Sequence, residues 1–146
     1  MAPEQLFSVA NFVALLGWLV LIVVGPKRWA APLVTGAILP LLFAVLYIGL
    51  IAAHWGETPG GFGSLAAVAA LFSNQWLLLA GWIHYLAFDL FIGSWQVRDA
   101  RRKAIPHLLV IPALILTFLF GPAGLLLYFA IRCAKSRSFD LQLAGE

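Results

Sequence analysis

Four apolar runs, each long enough to cross a bilayer, constrain the fold of this chain more than any other feature. They lie at about 6–24, 31–53, 76–97 and 106–130. A hydrocarbon core of ~30 Å takes about 17–25 apolar residues of helix. Backbone groups inside it must be satisfied within the protein, which helices do. The expected fold is therefore all-α, an integral membrane four-helix transmembrane bundle. At ~20 residues per span, a chain of 146 residues forms one domain, 1–146. Composition agrees, because 63% apolar and 10% charged residues are more apolar surface than a soluble domain can hide. The start, MAPEQLFSVANF, has no basic stretch before its apolar run, so a first span is expected there rather than a cleaved signal peptide. The single cysteine, Cys133, permits no intrachain disulfide and reads as an inert thiol near a helix end.

Punctuation and charge organise the runs. Gly25-Pro26 ends the first, Pro40 should kink the second, and Gly121-Pro122 should bend or break the fourth. The Gly- and Pro-rich stretch 54–63 belongs outside hydrocarbon. It is followed by a short apolar stretch read as an interfacial helix at about 64–72, and Ser73 or Asn74 caps the third span. Lys27 and Arg28 lie in the 25–31 loop, and Arg98, Arg101, Arg102 and Lys103 in the 98–106 loop, whereas 54–75 has no Lys or Arg. The basic loops are expected to be cytoplasmic and the N-terminus outside. Four full crossings then put the tail outside despite Arg132, Lys135 and Arg137. The alternative is that Gly121-Pro122 turns the last segment back. Full crossing is the expectation taken here. The net charge of +3 reads as this orientation signal and not as a nucleic-acid footprint.

His84 and Asp89 sit inside the third run, WLLLAGWIHYLAFDLFIGSWQV. Ionisable groups at that depth are expensive and mark functional sites or protein-lined pathways. They are the candidate catalytic pair, an acid and a base. Five residues of helix place them about 140° apart around the axis. Asp89 shares a face with Trp82, Tyr85 and Gln96, and His84 with Phe88, Phe91 and Trp95. The two can therefore meet a cavity only from opposite flanks, or bond to different neighbours. Trp82, Tyr85, Phe88 and Phe91 are the candidate lining of an apolar substrate groove, and Asn11 of the first span is placed to meet Asp89 or a ligand hydroxyl. The other tryptophans read as an interfacial belt. His54 and His107 fall at opposite ends of spans, and no pair of histidines has metal-ligand spacing, so no metal site is expected. Asp99 is expected to pair with Arg102 or Lys103 along its own helix.

The stretch GWIHYLAFDLFIGSWQVRDARR, followed by FGPAGLLLYFAIR, resembles the abscisic-acid-deficient-4-like family of small four-span membrane proteins. The resemblance is specific in Trp82-Ile83-His84-x-Leu86-Ala87-x-Asp89-Leu90-Phe91 and in Gly121-Pro122-x-Gly124, and looser in the first two spans. Plant members act in making neoxanthin from violaxanthin. The compact form resembles bacterial members, so the implied location is the bacterial inner (cell) membrane. The implied chemistry is isomerisation of a carotenoid epoxide to an allenic alcohol, with Asp89 as acid, His84 as base and no cofactor. The implied partner is a membrane lipid of the carotenoid or isoprenoid class. The other reading is a non-catalytic module that binds a second copy of itself or a larger membrane complex. That reading requires Asp89 to be satisfied by Asn11, Tyr85 or a backbone carbonyl.

Overall fold

The computed structural model describes residues 2–25 and 31–136, and within them every regular element is a helix. Helix α1 (Pro3–Leu19) starts with proline at its first turn, where the missing N–H goes unused. It continues through a wider π-helical turn, Val20–Val24. A π-helical stretch, Ala31–Ile38, leads into α2 (Leu39–His54). Helix α3 (Leu65–Leu71) is short and capped by Ser64, whose hydroxyl accepts from the Ala67 amide at 3.1 Å. Helix α4 (Gln75–Arg102) is the longest, 28 residues. Asn74 caps it, its side-chain oxygen accepting from the Trp76 amide at 2.8 Å. Helices α5 (His107–Phe120) and α6 (Pro122–Ser136) complete the chain.

Among the described residues, three helical stretches are long and apolar enough to cross a membrane: Pro3–Val24, Thr35–His54 and Gln75–Arg102. They overlay the first three expected spans. Helix α4 is the axis of the bundle and packs on α1, α2 and α5. Its most apolar window is 56% buried, against 11% for that of α2. Helix α2 thus turns most of its surface outward, to apolar surroundings. The core holds Ala14 and Trp18 of α1, Leu21 of the π-helical turn that follows it, Phe43 of α2, Ile83, Leu90 and Val97 of α4, and Val110 and Leu114 of α5. Ser94 of α4 donates to Thr35 at 2.7 Å, a buried cross-helix bond of the kind polar residues make in apolar bundles.

The fourth run departs from expectation. It makes two antiparallel helices in place of one crossing. Helix α5 has 14 residues, about 21 Å at 1.5 Å per residue, which is short of a ~30 Å core. It stops at Gly121, whose φ of +41° is left-handed backbone open to glycine and strained for other residues. Helix α6 then returns along α5. Gly124 makes the return close, because a Cβ there would collide with the Thr117 amide nitrogen. The far end of α6 is tied to the far end of α4: Arg132 Nε donates to Asp99 Oδ2 at 2.7 Å, and the Tyr128 hydroxyl donates to the same oxygen at 2.6 Å. Arg132 therefore lies at the same end as the 98–106 loop, and the run 106–130, expected as one crossing helix, forms a helical hairpin instead. The conflict between a fourth crossing and the basic residues of the tail disappears with it. The end of α1 is at this end too, where His107 Nε2 lies 2.9 Å from the Ile22 carbonyl oxygen. Lys27, Arg28 and Arg137 lie outside the described residues.

Candidate functional site

Asp89 stands midway along α4 and is buried, at 9% exposure. Its carboxylate presses on the hairpin apex. A Cβ built on Gly121 would meet Asp89 Oδ1 at 2.9 Å and Oδ2 at 3.3 Å. The heights agree with the hairpin geometry. From Gly121 to Arg132 and from Asp89 to Asp99 the chain advances by similar lengths, so α6 runs beside the lower half of α4. The two segments that carry the family resemblance, around Asp89 and around Gly121-Pro122-x-Gly124, therefore meet in space.

Tyr85 lies one turn before Asp89 on the same helix face. Its hydroxyl donates to the Phe118 carbonyl of α5 at 3.2 Å. Asp89 Oδ2 has no hydrogen-bond partner among the described residues. Leaving a buried carboxylate oxygen unpartnered is costly, and orphaned buried polar atoms in folded proteins call for an explanation such as a catalytic role. About two turns below, Gln96 Nε2 donates to Thr117 Oγ1 at 3.0 Å, and Thr117 donates to the Ala113 carbonyl at 2.8 Å. That fully satisfied group fixes α5 on α4 beneath the apex.

His84 faces elsewhere. It is exposed, its ring 5.6 Å from Tyr47 of α2 and 4.6 Å from Phe88. The angular separation read from the sequence persists: His84 looks to α2, and Asp89 to the α5–α6 apex. Asn11 meets neither. Its side-chain oxygen accepts from Trp82 Nε1 at 3.1 Å, and its amide donates to the Phe7 carbonyl at 2.7 Å. Trp82 packs against Phe7 and Tyr85 and lines a cavity of about 270 Å³ with Phe7 and Leu78. Phe88 and Phe91, 58% and 45% exposed, line a separate groove of about 230 Å³ with Pro40, Leu41 and Ala44. The candidate groove residues thus divide between the α1 side and the α2 side of α4.

Sequence reasoning missed the Asp99 cluster. Asp99 pairs across to α6 instead of with Arg102 or Lys103, because a helix-surface pair gains only about 0.2–0.5 kcal/mol while Arg132 and Tyr128 offer two short bonds to one carboxylate. The available signal was the placement of Tyr128 and Arg132 four residues apart in an otherwise apolar helix.

These features define a class: a helical membrane-type protein of three long apolar helices, with a re-entrant hairpin whose apex sits on a buried, partly unpartnered carboxylate. Within that class the chain belongs to the ABA4-like family (ABA DEFICIENT 4-like), whose model matches residues 5–128. No curated protein and no solved structure matches it.

Proposed function

We propose that the protein is a membrane isomerase of carotenoid-type epoxides, in which Asp89 handles the proton. The observation that carries this reading is the unpartnered Asp89 Oδ2, buried at mid-depth against the hairpin apex. The reaction balances without redox. One proton goes to the epoxide oxygen as its C–O bond opens, and one proton leaves a polyene carbon as the allene forms. A carboxyl group has two oxygens, so it can give the first proton and take the second. Asp89 does both in this proposal, and His84, on another face, is released from the base role. Family membership supports the substrate class, through the resemblance drawn above to proteins that make neoxanthin.

Access supports it too. The hairpin rises only to Gly121, so the half of α4 beyond the apex is left open on that side. Leu78 and Trp82 there are 53% and 39% exposed. A rigid polyene can descend over Trp82 and Tyr85 and reach Asp89 end-on from the bilayer.

The proposed orientation places the basic end in the cytoplasm. Arg98, Arg101, Arg102, Lys103, Arg132 and Lys135 gather at that end, and 54–75 at the other end carries no Lys or Arg.

The test is expression in a bacterial host that accumulates violaxanthin, with pigments resolved by chromatography. Wild type should yield the allenic isomer, and Asp89→Asn should reduce the yield by at least about 10²-fold, the scale of a lost general acid–base group. Equal conversion by Asp89→Asn, or no conversion by either, ends this reading.

A further inference from the structure

On the opposite side of α4 lies a cavity of about 330 Å³, lined by Tyr47 and Ile51 of α2, Leu71 and Phe72 at the end of α3, and Leu77 and His84 of α4. Its walls are apolar, and its polar groups are the His84 imidazole and the Tyr47 hydroxyl, whose rings are 5.6 Å apart. Neither side chain has a hydrogen-bond partner among the described residues. Both lie about 10–14 Å along their helices from the end that bears His54 and Gln75, a depth at which water cannot be counted on to satisfy them. A neutral imidazole offers one donor and one acceptor, and a phenol can do both. Two adjacent unsatisfied groups in an apolar recess are complementary to one hydroxyl group on an otherwise apolar body.

The volume limits the ligand. About 330 Å³ is at the lower end of small-molecule sites. It fits one ring of a long lipid, with the remainder lying outside along α2, where Val45 and Ile48 are 72% and 63% exposed. We propose that this cavity binds the hydroxylated end ring of an isoprenoid lipid, with His84 and Tyr47 bonding the ring hydroxyl. It is a binding site distinct from the Asp89 apex, and it rests on the proposed function only for the lipid class.

The probes are zeaxanthin, a polyene with a hydroxyl on each end ring, and β-carotene, the same skeleton without hydroxyls. The full chain in lipid nanodiscs is titrated with each, and binding is read by tryptophan quenching. Wild type should bind zeaxanthin about tenfold more tightly, the effect of a net hydrogen bond of ordinary strength. His84→Phe should bring the two probes to parity without weakening β-carotene, Tyr47→Phe should remove part of the preference, and His84→Gln should keep most of it. Asp89→Asn should leave the preference intact, which separates this site from the isomerase reading: loss of conversion in Asp89→Asn bears on that reading alone. Equal affinities in wild type, or a preference that survives His84→Phe, overturn the proposal.

Discussion

Two aspartates on one helix, ten residues apart and both facing the hairpin, have opposite surroundings. Asp99 receives the Tyr128 hydroxyl at 2.6 Å and Arg132 Nε at 2.7 Å, and Arg132 itself is fully buried. Asp89 has a backbone turn pressed on it, a tyrosine beside it and one oxygen left over. The lower carboxylate is spent on holding α6 to α4. The upper one holds nothing that would be lost with its charge. Under the proposed function, stability and chemistry are divided along a single helix, and the hairpin serves both: its far end is tied down and its apex rests against Asp89.

The largest effect should come from breaking the lower site. Asp99→Asn removes the carboxylate charge that faces the buried Arg132 guanidinium, and losing one partner of such a pair costs about 3–5 kcal/mol. Unfolding in detergent, followed by circular dichroism, should show this loss. Replacing all three partners at once (Asp99→Leu, Tyr128→Phe, Arg132→Met) should recover most of it, as apolar substitution of whole buried pairs often does. Gly121→Ala comes next. It forces a Cβ onto left-handed backbone and to 2.9 Å from Asp89 Oδ1, for about 1–3 kcal/mol of strain. In a double-mutant cycle with Asp89→Ala the two changes should couple by at least ~0.5 kcal/mol; strict additivity would mean the carboxylate and the apex are independent.

Asp89→Asn should be nearly silent in the same unfolding assay, within about 1 kcal/mol, whereas the proposed function expects it to remove conversion. A loss as large as that of Asp99→Asn would erase the contrast and make Asp89 structural. The smallest effect belongs to the opposite end of the bundle. There Glu57 accepts from the Asn74 amide at 2.8 Å and lies 2.8 Å from His54 Nδ1. The Asn74 bond first, and the His54 bond second, hold its carboxyl below the usual range. A lowered folded-state pKa stabilises above the unfolded value, and that contribution is lost as pH falls through the folded value. The contact should therefore loosen as the pH falls below the usual glutamate range. The His54 ring stacks on Trp76 at 4.9 Å, so tryptophan fluorescence should report the change, and Asn74→Ala should shift its midpoint upward.

Much of this was legible from residue order. Uninterrupted apolar length marks α1, α2 and α4 because hydrocarbon demands it, and Asn74 and Ser64 mark helix starts by their side-chain chemistry. The division of His84 from Asp89 follows from helical pitch alone. The hairpin was not legible, because 25 apolar residues satisfy a crossing and a half-depth return equally well. The decision lies in three placements: positive φ at Gly121, the close approach at Gly124, and a buried arginine four residues beyond Tyr128. Each was visible as a residue type, but its meaning came from a partner on another helix. Asn11 shows the same limit, since its polar side chain found Trp82, not Asp89, and no spacing rule distinguishes the two.

The half-height hairpin also gives the molecule a taper. Among the described residues, the end bearing His54 holds the three long helices and only the seven-residue α3; the end bearing Arg132 holds the same three plus α5 and α6. A bilayer that surrounds such a shape gives up more area in one leaflet than in the other. Crowding the protein laterally then bends the sheet, or draws conical lipids to the narrow side. Lipid shape and packing pressure therefore act on the same apex that covers Asp89.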